Sequence, residues 1–373
     1  MAKDRRNVVP RNAADYEVQA LEPRRLLSRT LGPTAQSIEQ PQAIAAFPTI
    51  NGQGESIAVL DTGIDYNHPL LGGGFGPGFK VVAGYDFVLN DGNPLDPDGH
   101  GTGVGGVIAA DEFKLGRGYY EGVAPDANLI ALRIDDSVDN PGPAIINEAL
   151  HWVLRHQQRY NIVAVNISEG DNNIYTQKTS GPESTLLSEL NAAGVFVAVS
   201  AGNDSNSSGV EYPAADPDVA AVGAADGDQV ASFSDAGDPL DLLAPGVNVP
   251  TTYTDNITGN PVTLDASGTS FASPFAAGAA ALVHQADPSL TPDQILTVLK
   301  TTGTPIFDPS NGQTYPLINL YASLVTATHL EHMAHVRHAE AKEMKAAQES
   351  SASSSDEATM LNELYEIRHK KQD

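Results

Sequence analysis

Six short apolar runs punctuate the middle of the chain: Ser56–Leu60, Lys80–Phe87, Asn128–Ile134, Ile162–Ile167, Val195–Ser200 and Val219–Ala224. Several are continuous rather than alternating, as in strands of a parallel sheet covered on both faces. Helical patterns lie between some of them, at Gly101–Ala110, Ala144–Tyr160 and Pro182–Ala193. This alternation predicts an α/β fold, a doubly wound and mainly parallel sheet with helices on both faces. Sites in such sheets gather outside the carboxyl ends of the strands. Asp61, Ser168 and Asn203 each follow a predicted strand at that end.

A further pattern begins at Asp265-Ala266-Ser267-Gly268-Thr269-Ser270-Phe271-Ala272-Ser273-Pro274 and runs on through Phe275 and a small-residue stretch to Leu282. It reads as a loop turning sharply into a buried helix, with Gly268 at the turn and Pro274 tolerated in the first turn. Ser270 then stands near the positive end of the helix dipole, a good seat for a nucleophile. The plainer reading is a helix N-cap. Two other stretches bear on the choice. Ser56–Asp61 is an apolar strand ending in an acid, and Asp96-Pro97-Asp98-Gly99-His100-Gly101-Thr102 sets a histidine where a glycine-rich loop enters a helix. Asp61, His100 and Ser270 are the orienting carboxylate, general base and nucleophile that acyl transfer needs.

These blocks, Val59-Leu60-Asp61-Thr62-Gly63, Gly99-His100-Gly101-Thr102 and Gly268-Thr269-Ser270-Phe271-Ala272-Ser273-Pro274, resemble the three signature motifs of the subtilisin-like serine proteases. The match runs over roughly residues 50–325, in the family's order of Asp, His, Ser. The resemblance implies a serine endopeptidase acting on polypeptides without a cofactor. It further implies that the Asn203 side chain and the Ser270 backbone N–H share the oxyanion. Ser168, Glu169 and Gly170 resemble the edge segment that pairs with an extended substrate. Glu169 replaces the family's apolar or aromatic residue, and Asp204 adjoins Asn203. These two acids either favour a basic or polar residue near the cleaved bond or point into solvent. An acid that commonly binds calcium after the first motif is replaced by Leu70, so no calcium is expected at that site. Two alternatives to an endopeptidase are an idle binding protein on the same fold and an esterase or peptide ligase using the same triad.

Composition changes the picture at the edges. The 373 residues carry 21 Lys/Arg and 47 Asp/Glu, a net charge of −26. Residues 1–29 hold 7 basic and 4 acidic residues and residues 327–373 hold 6 and 9, leaving 8 and 34 for the middle. Such a surface disfavours nucleic acid and anionic membrane. There is no cysteine, which excludes a disulfide framework and a thiolate zinc site. No apolar run is long enough to span a membrane. Residues 1–45 read as a leader or short propeptide, 46–326 as the catalytic domain and 327–373 as a helical, low-complexity tail. Leu21–Ser28 resembles a short motif of exported bacterial proteins, so an extracellular or cell-surface monomer is expected, with a cytoplasmic one as the alternative.

Three weaker signals resolve into plainer readings. Gly101-Thr102-Gly103-Val104-Gly105-Gly106 fits a dinucleotide pattern but lacks the strand that must precede it. His68 reads as a turn residue, and His329, His332, His335 and His338 would drift around a helix. Asp91, Asp96 and Asp98 could bind a hard cation, but a solvated acidic loop suits them better.

Overall fold

The computed structural model describes residues 31–136, 142–255 and 258–332. The chain begins with α1 (Pro33–Ser37) and α2 (Gln40–Ala46), followed by β1 (Ser56–Asp61), β2 (Val81–Asp86), α3 (His100–Ala109), the small hairpin β3 (Phe113–Leu115) and β4 (Gly118–Tyr120), and β5 (Asn128–Arg133). Next come α4 (Pro143–Tyr160), β6 (Ile162–Ile167), α5 (Ser184–Ala192), β7 (Phe196–Ser200), β8 (Ala220–Asp226), β9 (Gln229–Val230) and β10 (Leu242–Pro245). The last elements are the hairpin β11 (Val249–Thr254) and β12 (Pro261–Ala266), then α6 (Thr269–Ala286), α7 (Pro292–Thr302), β13 (Thr304–Asp308) and β14 (Gln313–Leu317).

The main sheet has the order β13-β14-β10-β8-β7-β6-β1-β5-β2, with β9 attached to β8. Its pairings are parallel except at β13/β14 and β8/β9. This is the doubly wound, mainly parallel α/β architecture that the apolar runs predict. From β1 the chain builds outward to β5 and β2, then returns to the other side of β1 and builds β6, β7, β8 and β10. The order therefore reverses at β1, and the carboxyl ends of β1 and β6 open the crevice where such folds bind ligands.

Helices α3 and α6 pack against each other, and α4 and α5 do likewise. The first pair runs through the core: every residue of α3 is buried, as is all of α6 except His284 and Gln285. Small side chains allow this, because glycine and alanine let a helix approach its neighbours closely on all sides. By contrast α4 buries Ile146, Ala149, Leu150 and Val153, one stripe at helical spacing.

Residues 31–45, assigned from sequence to the leader, lie against the body. The Gln40 amide donates to the Gly122 carbonyl at 3.0 Å, the Leu320 N–H donates to Ile38 at 2.8 Å, and Ile38 is buried. Helices of five and seven residues show too little of a period to be read from sequence. The Leu21–Ser28 motif and residues 333–373, with His335 and His338, lie outside the described residues.

Candidate active site

Asp61 closes β1 and is fully buried. Its Oδ1 accepts from the His100 ring at Nδ1 (2.8 Å) and from the Thr62 N–H (2.8 Å). His100 is the first residue of α3 and is 7% exposed. Gly101 explains how the two approach: a Cβ there would overlap the Gly63 carbonyl and sit 2.9 Å from Asp61 Oδ1. Only a residue without a side chain lets α3 start this close to β1.

The loop ahead of His100 is locked by Asp96. Its Oδ1 accepts from the Thr62 hydroxyl (2.9 Å) and the N–H groups of Asp98 (3.0 Å) and Gly99 (2.9 Å). Its Oδ2 accepts from the N–H (2.8 Å) and hydroxyl (2.5 Å) of Thr102. The Thr62 hydroxyl in turn accepts from the Gly101 N–H at 2.9 Å. Asp96 is therefore a buried clasp between the end of β1 and the start of α3, where the sequence suggested a solvated loop. Burial pushes its carboxyl upward, and the donors from Gly99 and Thr102 pull it back only in part.

Ser270 is the second residue of α6, and Gly268 before the helix has φ +149° with no side-chain cap. The N-cap reading of Ser270 is thereby replaced: its hydroxyl is not used to cap the helix. Pro274 sits beyond the first turn, contrary to expectation, and would leave the Ser270 carbonyl without its N–H partner four residues on. The Ser168 hydroxyl fills that gap, donating to the Ser270 carbonyl at 3.0 Å. Asn166, inside β6, donates to Ser168 Oγ (2.8 Å) and accepts from the Ser273 hydroxyl (2.8 Å). This buried network pins the start of α6 to the end of β6. Ser168 and Ser273 lie in stretches singled out from the sequence, but nothing local to them disclosed the network.

Helix α3, which starts at His100, packs on α6, which carries Ser270. The His100 ring meets the ring of Phe271, the residue after Ser270, edge-on with centroids 5.1 Å apart. Among the described residues no hydrogen bond joins the imidazole to the Ser270 hydroxyl; catalytic hydrogen bonds often form only in the complex with substrate. Burial pulls the imidazole pKa down, but the charge and hydrogen bond of Asp61, with Glu169 and Asp96, more than offset it and hold it at about 9.

Asn203 follows β7 and is exposed. Its Oδ1 accepts from the Thr269 N–H (2.9 Å) and hydroxyl (3.1 Å), which turns the amide Nδ2 away from Thr269. Past Ile167 the ladder of β6 to its neighbours ends, so the Ser168–Gly170 backbone is an open edge. Of its side chains, Ser168 faces inward to α6. Glu169 does not point into solvent: it is 4% exposed, with Oε1 unpartnered among the described residues. Burial, then the charge of Asp61, push its carboxyl up to about 9 against the opposing pull of His100. Asp204 is exposed but adjoins two buried acids, Glu211 and Asp235, that the sequence reading did not single out. Neither lies in a recognisable motif; only the fold brings them there. Beyond Gly170 lies a cavity of about 240 Å³ lined by Pro143, Ile146, Tyr175, Glu183 and Tyr212.

His68 behaves as the turn residue expected, with Nδ1 accepting from the Leu70 N–H at 3.2 Å. Among the described residues no helix is long and apolar enough to cross a membrane.

The sequence profile of the subtilase family matches residues 52–334. A thermostable alkaline protease of Halalkalibacterium halodurans is 38% identical over 265 residues, 70% of this chain and 65% of that protein. The chain thus spans just under two thirds of that relative's length. Subtilisin BL of Lederbergia lenta is 37% identical over 291 residues, 77% of this chain and 94% of that protein. Among solved structures, a cold-adapted subtilisin-like serine proteinase superposes with a TM-score of 0.59 at 29% identity, covering 74% of this chain and 90% of its own. A protease from Pseudoalteromonas arctica gives 0.65 at 25% identity, covering 78% and 94%.

Proposed function

Because this chain belongs to the subtilase family, we propose that it is a serine endopeptidase working through Asp61, His100 and Ser270. Ser270 Oγ attacks the peptide carbonyl carbon as its proton passes to His100 Nε2. Asp61 holds Nδ1 protonated and stabilises the imidazolium. The carbonyl oxygen, now an anion, is received by Asn203 Nδ2 and the Ser270 N–H, which has no intrahelical partner at the start of α6. The C–N bond breaks, His100 returns the proton to the leaving amine, and water repeats the sequence on the acyl-enzyme. The peptide lies along the open Ser168–Gly170 edge. The chemistry needs no metal or cofactor, and the acidic body suits work outside the cell.

The observation that carries this reading is the 2.8 Å bond from His100 Nδ1 to a wholly buried Asp61. It leaves the other ring nitrogen as the base, on a ring packed beside the residue after Ser270. The test is covalent labelling with a fluorophosphonate together with peptide hydrolysis, in wild type and Ser270→Ala. The expected result is labelling of Ser270 alone and a loss of turnover of about 10⁶-fold in the variant, the scale known for removal of this group from a subtilisin. Unlabelled wild type, or equal turnover in both proteins, would sink the proposal. Hydrolysis of a simple ester but not of a peptide would replace it with the esterase reading.

A further inference from the structure

Asp204, Glu211 and Asp235 place one carboxylate oxygen each within 4.8 Å of one another. Their position relative to the proposed chemistry is specific. The Glu211 carboxylate stands between the two segments that flank the reacting bond, Ser168–Gly170 and Ala201–Asn203. A Cβ built on Gly170 would overlap Glu211 Oε2, and one built on Gly202 would meet Glu211 Oε1 at 2.7 Å and overlap Asp235 Oδ2.

Asp235 supplies a second observation. It is wholly buried, and its Oδ1 accepts from the N–H groups of Asp204 (3.0 Å) and Asn206 (2.7 Å). Its Oδ2, facing Gly202 and Glu211, has no partner among the described residues. Such an atom is costly to bury and ordinarily has a partner. Glu211 is 7% exposed and accepts only at Oε2, from the Asn172 N–H at 3.2 Å. Among the described residues no lysine or arginine pairs with any of the three.

The proposed mechanism fixes what arrives here. With the peptide on the 168–170 edge and its carbonyl oxygen at Asn203, the side chain of the residue donating that carbonyl descends between the two glycine segments. The first groups in its way are Glu211 and Asp235. We propose that this pocket selects lysine or arginine at that residue, with Glu211 as the principal contact and Asp235 and Asp204 behind it. The inference rests on the endopeptidase reading and deepens it.

A long side chain ending in a cation brings the donors these oxygens lack, and charge-assisted bonds in a desolvated pocket are the strong ones. Burial, with repulsion among Asp235, Asp204 and Asp171, pushes Glu211 up to about 7, and burial with Asp204 pushes Asp235 up to about 6. A bound cation relieves both. A calcium ion suits the site less well. It takes six to eight oxygens, whereas Asp235 Oδ1 and Glu211 Oε2 are already held by N–H donors.

The test compares peptides that differ only in having Arg, Lys, Leu or Glu at the residue donating the carbonyl. Rates are normalised to sites titrated with the fluorophosphonate, with and without EDTA. For wild type the expected kcat/KM ratio of Arg to Leu is about 10² or more, as for a site built around a polar partner. Glu211→Gln should cut that ratio about 30-fold and Asp235→Asn by less, with EDTA making no difference. Should Glu211→Gln not fold, Asp235→Asn alone decides. An Arg:Leu ratio near or below one in wild type overturns the inference, as does a ratio unmoved in the variants or a preference abolished by EDTA. Labelling of Ser270 with indifferent cleavage removes only this inference; absence of labelling removes the endopeptidase reading itself.

Discussion

Asp96, ahead of α3, and Asp235, between β9 and β10, are both buried carboxylates near the proposed centre, yet their surroundings are opposite. Asp96 accepts five hydrogen bonds from Thr62, Asp98, Gly99 and Thr102, spread over both oxygens. Asp235 accepts two, both at Oδ1, and leaves Oδ2 facing another acid. The first is a scaffold acid: the chain itself supplies every donor, and the reward is the placement of His100. The second is a receptor acid, whose missing donor has to come from outside. Asn203 combines both kinds of group in one side chain: its Oδ1 is held by Thr269, and its Nδ2 is the donor proposed for the oxyanion.

That division can be broken in four ways. Asn203→Leu removes the free donor, and kcat should fall by about 10²–10³ with KM little changed; steady-state kinetics on one peptide would read it, and a change confined to KM would contradict it. Asp96→Ala leaves several buried donors without an acceptor and should lower unfolding stability by about 2–3 kcal/mol in urea titration, while the Arg:Leu preference of the surviving enzyme stays put. A stable variant with altered preference would erase the contrast.

Asp235→Asn should act in the reverse direction on stability. The folded carboxyl holds its proton up to about pH 6, above the ordinary carboxylate range. The native state therefore binds more protons than the unfolded chain, so stability falls as pH rises through that window. The amide has no charge to repel Glu211, and its melting temperature should exceed that of wild type above about pH 6 but not at pH 4. A lower melting temperature at pH 8 would mark Asp235 as a scaffold acid after all.

The smallest expected effect concerns His100. With its imidazole held at about 9, the basic form grows as pH rises, so kcat/KM should climb on the alkaline side towards a plateau. Glu169→Gln removes one charge that helps hold the proton, and the rising limb should move to lower pH by less than one unit. Because burial and the charge of Asp61 push the Glu169 carboxyl up as well, the limb belongs to the interacting pair. A limb that stays in place would show that Glu169 takes no part in holding that proton.

Much of this was legible beforehand, for a physical reason. Five of the six predicted strands are buried almost throughout, where continuous apolar runs have no other home, and the sixth, β2, is the half-buried edge of the sheet. The elements that escaped notice are short or partly exposed, such as β10, the threonine-rich hairpin β11–β12 and the proline-bearing pair β13–β14. In the site, Asp61, His100 and Ser270 announce themselves because each is embedded in small, constrained residues whose spacing only a close backbone approach requires. Asp96 was visible as an acid but not as a clasp, since its donors Thr62 and Thr102 lie on different elements.

The succession of strands and core helices along the chain, and the kinds of side chain that follow the strand ends, are local consequences of periodicity, residue size and backbone freedom, and the amino-acid string determined them alone. Which carboxylates end up satisfied is not local. Glu211 lies 39 residues from the N–H that holds it, and Asp235 lies 31 from one of its donors. Whether an acid becomes part of the frame or part of a receptor depends on which donors the folded chain happens to leave beside it, and only the tertiary structure decided that.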